Sequence, residues 1–213
     1  RDVYFFSSQS RTTPSMKRAI LPLLLVAILL GGGYWYTREV PNPDPNHTHA
    51  DFAVYISGER VDFSKPQYMS GSSTGSLLDA DHQAHHKYFH LHDGNGSVMH
   101  RHMPGLGVGE FFKSIGFTMT ADCFTVPDQK PVCNAGSKTW KMYVNGTEHP
   151  FDPTYVFADL DHLLFTYAAS ASDLQRQLAT LSDDACLFSK TCPGRGDPPV
   201  ENCISDPKVP CVE

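Results

Sequence analysis

Hydrophobic and polar positions change their period several times along this chain, and each change predicts an element. In residues 51–63, DFAVYISGERVDF, Phe52, Val54 and Ile56 alternate with Asp51, Ala53 and Tyr55; Ser57-Gly58-Glu59-Arg60 supplies a turn, and Val61 and Phe63 resume the alternation. A period of two with apolar residues on one side is the pattern of a half-buried strand, so this stretch predicts a β-hairpin with one buried face. Residues 65–87 are polar, with a Gly/Ser cluster at 70–76, and predict a loop. In GVGEFFKSIGF, Val108, Phe111, Phe112 and Ile115 share one helical face, and Gly116 stands where the helix would end. After a loop-rich excursion at 117–135, Lys138 to Val144 predicts a strand. Asn145-Gly146 is the strongest short hairpin signal, because both central residues of a type I′ turn need positive φ. Residues 155–167, YVFADLDHLLFTY, predict a further strand. Ser172-Asp173-Leu174-Gln175 fits a capping box, with Leu174, Leu178 and Leu181 at helical spacing. Strands and helices do not alternate regularly and no repeat is visible. The expectation is therefore an α+β fold: an antiparallel sheet of β-hairpins with one or two short packed helices.

Both ends of the chain depart from these periods. Ala19 to Tyr36, AILPLLLVAILLGGGYWY, carry no charge, follow Lys17-Arg18 and end on three consecutive aromatics. That run just reaches the length of a membrane-spanning helix, and its flanks place the N-terminus in the cytoplasm and the remainder outside. The rival reading is a signal peptide, since MKRAILPLLLVAILL has a charged start and an apolar middle; no A-x-A site follows it. The expected organisation is a short cytoplasmic tail (1–18), a transmembrane anchor or uncleaved signal (19–37) and a Pro-rich linker (38–46). An α+β domain (47–184) and a Cys/Pro-rich tail (185–213) complete it. The linker, with its prolines, predicts an extended tether.

Six cysteines, Cys123, Cys133, Cys186, Cys192, Cys203 and Cys211, all fall on the expected outer side. An even number in an oxidising compartment reads as disulfides, and the spacings suggest Cys123 with Cys133, Cys186 with Cys192, and Cys203 with Cys211. A cysteine metal knuckle is the alternative, although no pair has C-x-x-C spacing. The formal charge of −6 and the lack of a basic cluster beyond Lys17-Arg18 leave no electrostatic footprint for nucleic acid.

Composition changes the picture most through histidine, of which there are 11. HLHDGNGSVMHRH, residues 90–102, places two H-x-H pairs around a run of turn residues. Residues i and i+2 of a strand share a face, so His90 pairs with His92 and His100 with His102. If Gly94-Asn95-Gly96 is a three-residue loop with Gly96 left-handed, His90 sits opposite His100. All four imidazoles then gather on one side, while Phe89, Leu91 and Met99 face a core. A one-residue slip would split the pairs between the two faces. His47 and His49 form a third pair at the start of the first strand. His162 is a further candidate ligand, and Asp93 could be a ligand or the carboxylate that orients one. His82, His85 and His86 lie in the polar loop and read as solvated or weak ligands. Imidazole donors suit zinc or copper better than calcium or magnesium.

HTHADFAVYISGERVDF, FHLHDGNGSVMHRH, GVGEFFKSIGF, KMYVNG, DLDHLLFTY and LSDDACLFSKTCPGRGDPPVENC, in that order, resemble an uncharacterised family of bacterial extracytoplasmic proteins anchored by a single N-terminal membrane helix. Its H-x-H and HLHDG motifs match His47, His49, His90, His92 and Asp93; the His82, His85, His86 insertion departs from it. The resemblance implies location and domain boundaries and gives no mechanism. A cupin also sets H-x-H on a strand, but the Glu expected soon after the pair is missing here. Three functions remain open: a tethered metal-binding domain for sequestration, sensing or delivery; a metal-dependent enzyme with Asp93, Asp159 or Asp161 as base; or an envelope interaction module whose histidines are polar surface. No Ser-His-Asp signature, P-loop or H-E-x-x-H supports another chemistry. The expected partners are the membrane, through residues 19–37, and a metal ion; a protein partner is unknown.

Overall fold

In the computed structural model the described residues are 26–34, 41–42, 47–69, 88–92 and 94–197. The chain divides into two units, Arg1–Arg38 and Glu39–Glu213. In the first, residues 26–34 are helical with Val26, Ile28, Leu29 and Leu30 exposed. No helix among the described residues is long and apolar enough to cross a membrane. The rest of the expected anchor, the 70–87 loop with its histidines, Asp93, and the Cys203 and Cys211 pair lie outside the described residues.

The second unit is α+β. The strands of its main sheet are β1 (Thr48–Ile56), β2 (Glu59–Arg60), β3 (Phe89–His90), β4 (Val98–Arg101), β8 (Trp140–Val144), β9 (Thr147–His149) and β10 (His162–Tyr167). They run in the order β3-β4-β1-β10-β8-β9, with β2 also paired to β1. A smaller sheet joins β5 (Thr118–Met119), β6 (Cys123–Thr125) and β7 (Val132–Cys133). Helices α1 (Val108–Ser114), α2 (Ala171–Leu178) and α3 (Ala185–Phe188) complete it.

The expected sheet of hairpins needs one correction: β1 and β10 are parallel, with Asp51 beside His162 and Ile56 beside Tyr167, while every other pairing of these strands is antiparallel. This makes β1 an interior strand and changes its burial. Phe52 and Val54 enter the main core as the alternation predicts, but Asp51, Ala53 and Tyr55 are buried as well. Ala53 and Tyr55 pack with Leu164 and Tyr143 beneath Leu174, Leu178 and Leu181. The expected one-faced hairpin is thus a two-faced strand, because α2 covers the side that would otherwise meet water.

Local signals mostly hold, with shifted boundaries. Ser57 and Gly58 alone make the first turn, at φ 52° and 91°, so Glu59 and Arg60 are strand and not turn. Asn145 and Gly146 have positive φ, as the type I′ reading requires. Helix α1 ends before Gly116, whose φ is 85°. The N-cap of α2 is Ser170, its hydroxyl accepting from Asp173 N, and not Ser172. Residues 155–161 form a loop before β10 instead of extending it. The Cys123–Cys133 and Cys186–Cys192 disulfides are formed. The first links directly opposed residues of β6 and β7.

The main core is aromatic. Phe112 meets Phe52, Phe63, Phe111, Phe117, Phe124 and Phe165 at centroid distances of 4.9 to 6.5 Å. Phe89, Leu91 and Met99 are fully buried in the same cluster, which fixes the face that the central histidine hairpin turns toward it. Burying each of these side chains contributes about 1.5–3 kcal/mol.

In that hairpin His90 lies opposite His100 and Phe89 opposite Arg101, the register that gathers the imidazoles. The loop reaches it differently from the expectation. Gly94, at φ 72°, is the left-handed residue, and Asn95 N donates to the His92 carbonyl at 2.7 Å. Gly96 serves another purpose: a Cβ there would stand 2.5 Å from the backbone of both Phe63 and Ser64. At Gly94 an added Cβ meets nothing within 4 Å. Gly96→Ala is therefore expected to destabilise the domain by about 2–3 kcal/mol through forced backbone movement. Gly94→Ala should cost about 1–2 kcal/mol from its left-handed backbone. Urea unfolding of the two variants checks the order, and equal or inverted losses would refute this account of the turn.

Candidate metal centre

Three strands deliver the three H-x-H pairs to one place. Across the sheet His49 of β1 stands beside His100 of β4, which stands beside His90 of β3. His47, His102 and His92 lie two residues from these, and the period of two turns them to the same face. The six rings close a circuit. Centroid distances are 4.5 Å from His47 to His49, 4.7 Å to His100, 4.6 Å to His92, 4.5 Å to His90, 4.7 Å to His102 and 3.9 Å back to His47.

This face is not wet. His90 and His100 have no exposed surface, His49, His102 and His92 are buried, and His47 is half-buried. Strands β1 and β4 shield the rings from one side. From the other, Phe188 of α3 lies 4.6 Å from the His100 ring and 5.7 Å from that of His49. Val98, Ala185, Phe188 and Leu160 form a small apolar cluster beside them. This cover overturns the alternative in which the strand histidines are polar surface.

Within the circuit the imidazoles form two groups: His47, His49 and His100, and His90, His92 and His102. In each, one ligand atom per residue lies within 4.8 Å of the others. The Nε2 atoms of His90 and His102 share a hydrogen bond at 3.0 Å. At Zn–N distances of about 2.0–2.1 Å, two imidazole nitrogens on one ion stand about 3–3.5 Å apart, so this pair already has the spacing of shared ligands.

Behind the rings runs a polar relay that sequence reasoning missed. Ser189 Oγ donates to Asp159 Oδ1 at 2.6 Å and lies 2.7 Å from His49 Nδ1. With its own proton engaged by the carboxylate, the serine oxygen accepts from Nδ1–H, which places the His49 lone pair on Nε2. Metal-bound histidines characteristically donate their second ring N–H in this way, fixing tautomer and ring orientation. Asp159 also accepts from His49 N at 2.9 Å and, through Oδ2, from Asn42 Nδ2 at 3.0 Å; the same amide donates to the His47 carbonyl.

Asp159 is held in turn by its loop. Asp161 accepts from Asn145 Nδ2, Tyr155 Oη and Ala158 N at 2.8 to 2.9 Å. Burial, together with the hydrogen bond to Asp161, pushes the Tyr155 phenol up to about 12, so it remains a donor across the neutral range. Arg101 reaches the loop from the opposite face, donating to the Phe157 carbonyl at 2.8 Å with its guanidinium 4.7 Å from the Phe157 ring.

His162 does not join the circuit. It stands across from Asp51 on β10, 3.9 Å from the Asp51 carboxylate and 3.6 Å from that of Asp183, in a separate half-exposed group. Asp51, fully buried, plays a structural part, since its two oxygens accept from Asp184 N and Ala185 N at 2.9 and 3.0 Å. These bonds fasten the start of α3 to β1, and the Cys186–Cys192 disulfide ties the same first turn to the chain that follows the helix. Nothing in the spacing of Ser189, Phe188 or Asp51 marked them, because their roles arise from contacts with distant parts of the chain.

Comparison with protein-family models, with curated proteins and with solved structures found no match.

Asp51→Ala removes two charge-assisted acceptors from the root of α3 and is expected to cost about 2–4 kcal/mol. Because Phe188 is carried on that helix, histidine modification by diethyl pyrocarbonate should accelerate in this variant at temperatures where the fold persists. Unchanged stability and unchanged modification rate would show that α3 is held by other means.

Proposed function

We propose that this protein is a membrane-tethered extracytoplasmic domain that binds a transition metal, zinc or copper, through its clustered H-x-H pairs, for sequestration, sensing or delivery. The observation that carries the reading is the convergence of six imidazoles as two trios of ligand atoms. Such a donor set suits zinc and copper and ill suits the oxygen-seeking calcium and magnesium. The Ser189–Asp159 relay behind His49 adds the outer support that ligating histidines need. The two disulfides accord with an oxidising compartment, and the apolar run after Lys17-Arg18 with a tether.

Binding is favoured over catalysis by how the nearby acids are employed. Asp159 orients His49 through Ser189, and Asp161 satisfies three donors that hold its loop. Asp159 comes near the rings only at His49 Nδ1, 4.0 Å away, the nitrogen that Ser189 already engages. A purely structural module would leave its histidines dispersed, whereas here they converge.

The test is metal content. The full chain, purified without chelator, is expected to carry zinc or copper well above background by mass spectrometry of its metals, and His90→Ala/His92→Ala should remove much of it. Ser189→Ala should weaken affinity by about 10- to 100-fold while leaving the fold intact. Background metal in the wild type, with no uptake on adding zinc or copper, would refute the reading.

A further inference from the structure

The six rings are too many for one ion and are not arranged around one. Zinc characteristically takes four ligands, and each trio here supplies three with a position to spare. The trios are nonetheless not independent. His47 of one lies 3.9 Å from His102 of the other, and His100 of the first lies 4.6 Å from His92 and 6.2 Å from His90 of the second. Rings of the two groups therefore meet along a shared boundary, with Phe188 against His49 and His100 of the first group.

We propose that the ring cluster is a dinuclear centre: two ions side by side, one held by His47, His49 and His100, the other by His90, His92 and His102, with a hydroxide shared between them. This rests on the metal-binding reading above and goes further by fixing the number of ions and the chemistry that joins them. Charge supplies the argument for the bridge. Among the described residues, neither trio contains a carboxylate. The nearest described carboxylate, Asp159, stands behind Ser189 with Oδ1 4.0 Å from His49 Nδ1, on the outer side of the ring, and Asp51 is turned to the α3 backbone. Two divalent ions would bring four positive charges among neutral donors in a largely dry space, which is unfavourable without a compensating anion. Each ion's vacant position admits water, and a bound cation lowers that water's pKa toward neutrality. One water losing one proton to solvent yields the hydroxide, and the same oxygen completes both coordination shells. No change of oxidation state is involved. The ligand class is thus a small oxygen anion, and His47 is the one of the six rings that is only half-buried.

The experiment uses the full chain stripped of metal and titrated with Zn(II) by calorimetry, with metal analysis after dialysis. The expected result is two zinc ions per chain. Loading with Cu(II) instead should give a paramagnetic resonance signal integrating to well under two spins per chain, because ions sharing an oxygen couple magnetically. His49→Gln and His92→Gln should each retain one ion, and their Cu(II) forms should show one uncoupled spin. One ion per wild-type chain would overturn the dinuclear centre while leaving metal binding in place. Two ions with two full, uncoupled spins would overturn the shared hydroxide. No ion bound would remove both readings. The wild-type stoichiometry decides the matter even if a variant fails to fold.

Discussion

The structure depends on the register of three adjacent strands. With His49, His100 and His90 in one row across β1, β4 and β3, the two-residue period places the second member of each H-x-H pair on the same face. A slip of one residue in either pairing would send a pair into the aromatic core and bring Phe89, Leu91 or Met99 out among the imidazoles. The core therefore enforces the site. Phe52 and Phe89 pack on Phe111 of α1 at 5.2 and 5.7 Å, so the apolar face of each strand is fixed before its polar face acquires a role. The stability of one side of the sheet is what gives precision to the other.

That division of labour explains the cover. Histidines on an open sheet face would be hydrated and mobile. Here β10 lies parallel to β1, which brings its preceding loop alongside His49: the Leu160 N–H donates to the His49 carbonyl at 2.8 Å, and Asp159 takes the His49 N–H. The chain then passes through α2 and returns as α3, laying Phe188 on the rings and Ser189 between His49 and Asp159. Two carboxylates separated widely in sequence thus act on the same strand. Asp51 fastens the cover, and Asp159 orients a ring under it.

Much of this is legible in the sequence, and the limits have a common cause. The three H-x-H pairs, the His90–His100 register, the buried Phe89, Leu91 and Met99, the α1 face, the Asn145-Gly146 turn and the two described disulfides all follow from short-range rules. What escapes depends on contacts that periodicity does not encode. The parallel pairing of β1 with β10 joins segments over a hundred residues apart, and the helices that follow β10 then cover Asp51, Ala53 and Tyr55. Residues 155–161 read as strand because Tyr155, Val156 and Phe157 have strand propensity; the hydrogen bonds converging on Asp161 override it. Asp159 reads in the sequence as an acid near His162 and a possible base, whereas its position behind Ser189 makes it an orienting group. Gly94 and Gly96 illustrate the same limit on a smaller scale: the DGNG turn announces two glycines, but only the approach of Phe63 and Ser64 distinguishes their reasons.

Burying six imidazoles has a consequence for how folding and binding are coupled. Each ring brings polar nitrogens into a space that apolar side chains would fill at less cost, so the arrangement is an unfavourable way to build a sheet face unless something recovers that energy. On the proposed metal-binding reading, an ion that binds only the folded register would do so, because its ligands would come from three strands that the unfolded chain cannot assemble; its binding energy would become folding energy. The aromatic core, the Cys186–Cys192 closure and the Asp51 anchor then have a specific purpose. They hold the imidazoles in place whether or not an ion is bound, so that on the proposed reading binding need not first order the chain, and affinity would depend on how firmly α3 stays down over His49 and His100.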